Sequence, residues 1–233
     1  MSPSMHQYRL MHTDFPVIYN SSWLYRYESA SGRDAQLKLE EMRAFETLLR
    51  RHTELRIISS SFLDIGTCTG RYLRWAHQKE FEKIVGIDRS VDSILYCSKT
   101  LSFSPELHCL NVISEPEQRL LVLLGGQFDL ITVMFGTINH FNSIEQLKVI
   151  QRMSRILKND GLLIISSWIQ DRCSFSLYED LTSQALSIQQ VSIDRMEYMA
   201  HLADLELTAW TETGSHRLFS IAHHQNSAVR DGN

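Results

Sequence analysis

Between Arg56 and Trp168 the sequence alternates short, branched-apolar runs with amphipathic stretches, and no other feature limits the possible folds as much. "RIISSSFLDIG", "KIVGID", "ELHCLNV", "FDLITVMF" and "LLIISSW" have the length and residue types of strands. "TGRYLRWAHQKE", "SVDSILYCSKTL" and "IEQLKVIQRMSRIL" lie between them with helical spacing, the last closed by "KNDG", whose Gly161 suits a helix stop and turn. Strands separated by helix-length segments pair in parallel, and a parallel sheet needs helices on both faces.

The tail breaks the alternation. After a helix expected around Asp194 to Leu205, "LELTAWTE" and "HRLFSIAHH" are joined across Gly214. A connection that short allows only antiparallel pairing. The expected fold is therefore α/β, a doubly wound, mostly parallel seven-stranded sheet with an antiparallel C-terminal hairpin and helices on both faces. It is expected as one domain, 1–233, with residues 1–50 forming an N-terminal cover and helix and 55–222 the core. That helix runs from Asp34 to about His52, with Leu37, Met42, Phe45, Leu48 and Leu49 along one stripe.

Composition removes some function classes. The 233 residues carry a formal charge of -4, which speaks against a nucleic-acid partner, since such a protein needs a basic face. Four scattered cysteines, without any CxxC pair, argue against a zinc site or a disulfide framework, so no metal is expected. No apolar run approaches bilayer length and no leader pattern opens the chain, so a soluble, cytoplasmic setting without a membrane partner is expected. Nothing in the sequence sets an oligomeric state.

In a doubly wound sheet, ligands bind beyond the carboxyl ends of the strands. The first strand runs into Asp64-Ile65-Gly66-Thr67-Cys68-Thr69-Gly70, where glycines permit a tight turn and close backbone approach. The second strand ends at Asp88, where a carboxylate can accept from two ribose hydroxyls. Glycines at 66 and 70 do not match the dinucleotide fingerprint G-x-G-x-x-G, and Asp64 would repel a pyrophosphate while suiting an ammonium group.

From these residues the chain resembles the class I S-adenosylmethionine-dependent methyltransferases, over about residues 55–222. "LDIGTCTG" is similar to their first motif and "VGIDRS" to the strand-two acid that holds the ribose. "LNV" lies where that family meets the adenine, "FDLITVMFGTINHF" resembles its fourth motif and "RILKNDGLLIIS" its sixth. Cys68 replaces the middle glycine, and Asn111 the usual adenine-binding Asp. The resemblance implies S-adenosylmethionine as cofactor, bound by Asp64, Gly66, Thr67, Gly70, Asp88, Arg89, Asn111, Val112, Met134 and Phe135. Aromatic residues of the N-terminal cover, Tyr19 and Tyr27, could face the sulfonium, with Arg26 or Arg33 as a partner for the methionyl carboxylate.

Just past strand four, His140 is the candidate general base, and Asn139 the residue that orients the acceptor or the methionyl carboxylate. Trp168, Asp171, Phe175 and Tyr178 follow strand five, where the family often builds its acceptor pocket, and Tyr178 is taken as a third catalytic candidate. Cys68 reads as a small loop residue rather than a nucleophile. The expected activity is methyl transfer to a small-molecule acceptor. The alternative is intramolecular cyclisation of S-adenosylmethionine itself, giving azetidine-2-carboxylate and methylthioadenosine.

Overall fold

A computed structural model describes residues 20–52, 60–169 and 189–224. Two helices come first, α1 (Ser21–Glu28) and α2 (Gly32–Leu49). The alternating core follows as β1 (Ser61–Ile65), α3 (Arg71–Gln78), β2 (Lys83–Asp88), α4 (Val91–Thr100) and β3 (Glu106–Cys109). It continues with α5 (Glu117–Leu124), β4 (Phe128–Val133), a 3-10 turn (Thr137–His140), α6 (Ser143–Ile156) and β5 (Leu157–Trp168). Helix α7 (Ile193–His201) and the strands β6 (Leu205–Glu212) and β7 (His216–His223) complete it.

The seven strands form one sheet, as expected, and lie in the order β3-β2-β1-β4-β5-β7-β6. The first five are parallel, and β7 lies antiparallel between β5 and β6, pairing Trp168 with His216 and Leu162 with Ala222. Alternation along each strand divides the core. Leu63, Ile131, Leu163 and Ile221 face one cluster with α5, α6 and α7 residues such as Leu120, Ile150 and Met196. Phe62, Leu130, Ile164 and Leu218 face the other, packed by Phe45 and Leu48 of α2 and Leu73 and Trp75 of α3. Both faces are covered, as parallel strands require.

Three local expectations change. Helix α5 was not among the expected elements: Leu120 and Leu124 are buried at i, i+4 spacing while Val122 is exposed. Strand β3 stops at Cys109, so Leu110, Asn111 and Val112 leave the sheet instead of continuing it. Gly161 does not end α6. The helix closes at Leu157, whose backbone is already extended, and β5 begins there. The register against β4 jumps from Phe128↔Leu157 to Leu130↔Leu162, and Gly161 sits in that irregularity. A Cβ on it would lie 2.9 Å from the Phe128 carbonyl oxygen, so close approach, not a left-handed turn, calls for glycine.

Candidate active site

The order β2-β1-β4 places a topological switch point between β1 and β4, and a cleft opens there. One wall is the loop after β1. Gly66, Cys68 and Gly70 all have positive φ, at 74°, 50° and 78°, so alternate residues turn left-handed. That winding aims the Cys68 N–H at Asp88, which accepts it at Oδ2 (2.9 Å) and accepts the Ser90 N–H at Oδ1 (2.8 Å). Backbone donors thus fix the carboxylate, which has lone pairs beyond those that they use.

The carboxylates of this wall are held away from bulk water. Burial pushes the Asp64 carboxyl up to about 7, opposed by the Thr132 and Thr67 hydroxyls; Thr132 donates to Oδ1 at 2.7 Å. Burial also raises Asp88, opposed by its backbone donors. The Cys68 thiol is pushed well above its ordinary value, first by burial and then by Asp88, so it is no thiolate nucleophile. Leu110, Asn111 and Val112 line the next part of the cleft, and the Asn111 side chain accepts from the Ile113 N–H (2.9 Å).

The opposite wall is aromatic. Asn20 caps α1 by accepting from the Trp23 N–H, and the helix lays Trp23 and Tyr27 over the cleft, both buried. Their rings stack at 5.1 Å, Tyr27 meets Phe135 edge-on at 5.7 Å, and Phe135 meets Trp168 at 4.8 Å. Phe135 is itself left-handed at φ 51°, just before Gly136 at 76°. The Trp168 indole lies so close to Gly136 that a Cβ there would fall 1.8 Å from Nε1. Between the two walls stands Arg71, the first residue of α3, bound to the buried Glu41 at 2.5 Å.

Most of the residues expected from sequence meet at this cleft: Asp64, Gly66, Thr67, Asp88, Arg89, Asn111, Val112, Met134, Phe135, Tyr27 and His140 all line it. Gly70 does not line it, but as the left-handed N-cap of α3 it closes the loop that does. His140 is half-buried, and desolvation, then Arg89, push its imidazole down to about 4. It is therefore neutral at pH 7 and a weak proton acceptor.

Asn139 is elsewhere. It is fully buried, its amide donates to Ser167 Oγ (3.0 Å) and the Gln189 carbonyl (2.9 Å), and its Oδ1 accepts from the Trp168 N–H (2.9 Å). The side chain bolts the end of β5 to the chain at Gln189 and does not line the cleft. Arg26 and Arg33 are exposed and outside the lining, so Arg71 is the guanidinium placed where a carboxylate partner was expected on them. Tyr19, Asp171, Phe175 and Tyr178 lie outside the described residues.

Trp23, Arg71 and Glu41 were not expected from sequence. Glu41 left a signal. It falls between Leu37 and Phe45 at i±4, a carboxylate inside the apolar stripe of α2, where a solvent-facing charge does not belong.

A family model for a methyltransferase domain matches residues 63–165. Over these residues the chain is similar to the class I S-adenosylmethionine-dependent methyltransferases, a family that uses S-adenosylmethionine. Among solved structures, magnesium protoporphyrin IX methyltransferase from Synechocystis, crystallised with S-adenosylmethionine, has a TM-score of 0.64 at 9% identity, over 96% of this chain and 100% of that one. A Clostridium acetobutylicum S-adenosylmethionine-dependent methyltransferase gives 0.58 at 13% identity, over 94% of this chain and 96% of that one. A sugar N-methyltransferase from Streptoalloteichus gives 0.56 at 14% identity, over 77% and 87%. No curated protein sequence matches significantly.

The residues fit the cofactor of this domain. A nucleoside needs an acceptor pair for its ribose and an apolar slot for its base. The fixed Asp88 carboxylate could supply the first, and Ile87, Leu110, Val112 and Phe141, which line the same cleft, the second. The sulfonium and ammonium are cationic, and the cleft that would receive them carries the buried Asp64 and half-buried Asp88 carboxylates on one wall and a set of ring faces on the other. Among the described residues no helix is long and apolar enough to cross a membrane.

Proposed function

We propose that this chain is an S-adenosylmethionine-dependent methyltransferase acting on a small-molecule acceptor, with no nucleic-acid partner. The observation that carries this is the cover: Trp23 and Tyr27 are buried over a cleft whose opposite wall is the glycine loop and Asp88. A polymer would need an open groove, whereas a covered cleft suits an acceptor that can be enclosed. Porphyrin and sugar methyltransferases among the fold's relatives are in keeping with that choice.

In this proposal Asp88 holds the ribose hydroxyls, and Asn111 and Val112 meet the adenine. Gly66, Thr67 and Gly70 let the backbone approach the methionyl group, with Asp64 and Arg71 as its charged neighbours. Arg89 and Met134 border the adenosine, and Tyr27 and Phe135 present ring faces near the sulfur. The bound cofactor supplies a methyl group made electrophilic by the sulfonium. The protein's share is to position the acceptor in line and exclude water. With the imidazole pushed down to about 4, His140 is proposed as a hydrogen-bond acceptor that orients the nucleophile, not as a strong base.

The test is mass spectrometry of the purified protein with S-adenosylmethionine, first alone and then with a library of small acceptors and with RNA and DNA. Acceptor-dependent S-adenosylhomocysteine is the expected result. Methylthioadenosine formed without any acceptor would replace methyl transfer by cyclisation of the cofactor. Transfer to nucleic acid alone would overturn the choice of acceptor.

A further inference from the structure

Glu41 is the most heavily hydrogen-bonded side chain beside the cleft. One of its oxygens, Oε2, takes the Arg71 Nη2 donor at 2.5 Å and the Tyr72 hydroxyl at 2.9 Å. The other, Oε1, takes the Phe135 N–H at 2.7 Å and the Ser166 hydroxyl. These donors come from α3, the turn after β4, and β5, so one carboxylate on α2 ties three parts of the cleft's frame together. Burial alone would raise the Glu41 carboxyl, but the Arg71 guanidinium, His216 and these hydroxyls outweigh it and hold it below its usual range, as an anion.

Arg71 depends on that anion. Its guanidinium lies 4.5 Å from the Phe135 ring centroid and 4.9 Å from that of Tyr72, Nη1 donates to the Lys38 carbonyl at 3.2 Å, and Nε is buried without a hydrogen-bond partner among the described residues. Other charges nearby do not fully replace Glu41: burial holds the Asp64 carboxyl up at about 7, so that it is only partly ionised, His216 is held near 4 and so neutral, and Lys38 is a cation whose Nζ sits 3.8 Å from the Tyr27 ring centroid. Without Glu41, Arg71 would present an uncompensated charge to a cleft that must accept a sulfonium.

Resting on the cofactor assignment above, we propose that Glu41 is a positioning residue for this site. It holds Arg71 and the Phe135 turn in place, and it cancels the guanidinium charge so that the cleft accepts the cationic cofactor as readily as its uncharged-sulfur product. The two ligands differ by one methyl group and one positive charge, which makes their affinity ratio a probe of charge at the site.

The experiment is calorimetric titration of wild type, Glu41→Gln and Arg71→Met with S-adenosylmethionine and, separately, with S-adenosylhomocysteine. For Glu41→Gln the ratio of the two Kd values, cofactor over product, is expected to rise about tenfold, the scale of one partly screened charge interaction. For Arg71→Met, which leaves the carboxylate without its cation, the ratio is expected to fall, by about threefold or more on the same scale. Equal loss for both ligands in Glu41→Gln would mean a purely structural role and overturn the proposal. If Glu41→Gln does not fold, Arg71→Met decides: an unchanged ratio overturns the proposal and a lowered one supports it. Wild-type protein that binds neither ligand would instead refute the cofactor site itself.

Discussion

On the glycine-loop side of the cleft, backbone groups do the holding. The Cys68 and Ser90 N–H groups fix Asp88, and loop and acid are only 20 residues apart. On the covering side the work passes to side chains drawn from distant segments, with Glu41 reaching Ser166 across 125 positions and Phe135 across 94. The first wall repeats wherever a strand meets a helix through a tight glycine turn. The second requires the N-terminal helices to be docked before it exists, so the two should respond differently to mutation.

The largest effect is expected on the covering side. Gly136→Ala must keep a φ of 76° and place a methyl group 1.8 Å from the Trp168 indole nitrogen. The ring contacts of Trp168 with Phe135 and His216, 4.8 and 3.9 Å, would have to open. A loss of ~4 kcal/mol is expected, from overpacking and left-handed backbone together, measured by chemical unfolding. If stability changes by less than 1 kcal/mol, Trp168 is not the rigid end of this wall.

Asn139→Ala should come next, at ~3 kcal/mol, because it takes the acceptor from the buried Trp168 N–H and strips Ser167 and the Gln189 carbonyl of one donor each, leaving them only Val191 and Gln146. Cofactor affinity measured below the new midpoint should stay within about twofold, the mark of a group outside the cleft. A large affinity loss with unchanged stability would return Asn139 to the site.

Asp64→Asn tests the loop wall by pH. Burial raises the Asp64 carboxyl from 3.8 to about 7, so the folded state binds its proton more tightly than the unfolded one. Stability from this group is complete below pH 3.8 and is lost as pH rises towards 7. The amide removes that loss: the ligand-free variant should gain up to ~3 kcal/mol over wild type at pH 8, by thermal or chemical unfolding, and little at pH 4. Its affinity for S-adenosylmethionine should fall. No pH dependence in the difference would mean that Asp64 titrates like an ordinary carboxylate.

Asp88→Ala should cost about 1.5–3 kcal/mol of cofactor affinity by calorimetry, the range for hydrogen bonds to a charged group. Unchanged affinity would move the ribose away from β2.

How far each wall could be read from sequence follows the same division. The seven strands, the terminal hairpin and the pairing of Asp88 with the glycine loop were legible, because period, turn chemistry and a 20-residue spacing are local quantities. Glu41 and Arg71 were not. Glu41 stands in "KLEEMRAF", where one more glutamate looks like solvent-facing helix, and only its i+4 step from Leu37 hints otherwise. Arg26 and Arg33 were equally plausible cations until the packing of α1 and α2 left both exposed. Asn139 sits one residue from His140, which lines the cleft, yet the 3-10 turn sends the two side chains to different neighbours. A 3-10 turn cannot be read from spacing, and neither can the side chain that a buried hydrogen-bond donor will find.

Cys68 is where the two kinds of information meet, and it carries the smallest prediction. Its N–H serves Asp88 through a left-handed backbone at φ 50°, a conformation that costs a side-chain-bearing residue ~1 kcal/mol and glycine almost nothing. Cys68→Gly would relieve that strain but add freedom to the unfolded chain, an opposing cost of about 0.5–1 kcal/mol. The side chain also packs, partly buried, against the cluster of Trp23, Leu24, Tyr27, Leu37 and Trp168, and that contact would be lost. The sum is expected to lie within about 0.5 kcal/mol of wild type by chemical unfolding, with cofactor affinity kept because the N–H remains. A marked loss of affinity would show that the thiol, and not only the backbone that bears it, belongs to the wall.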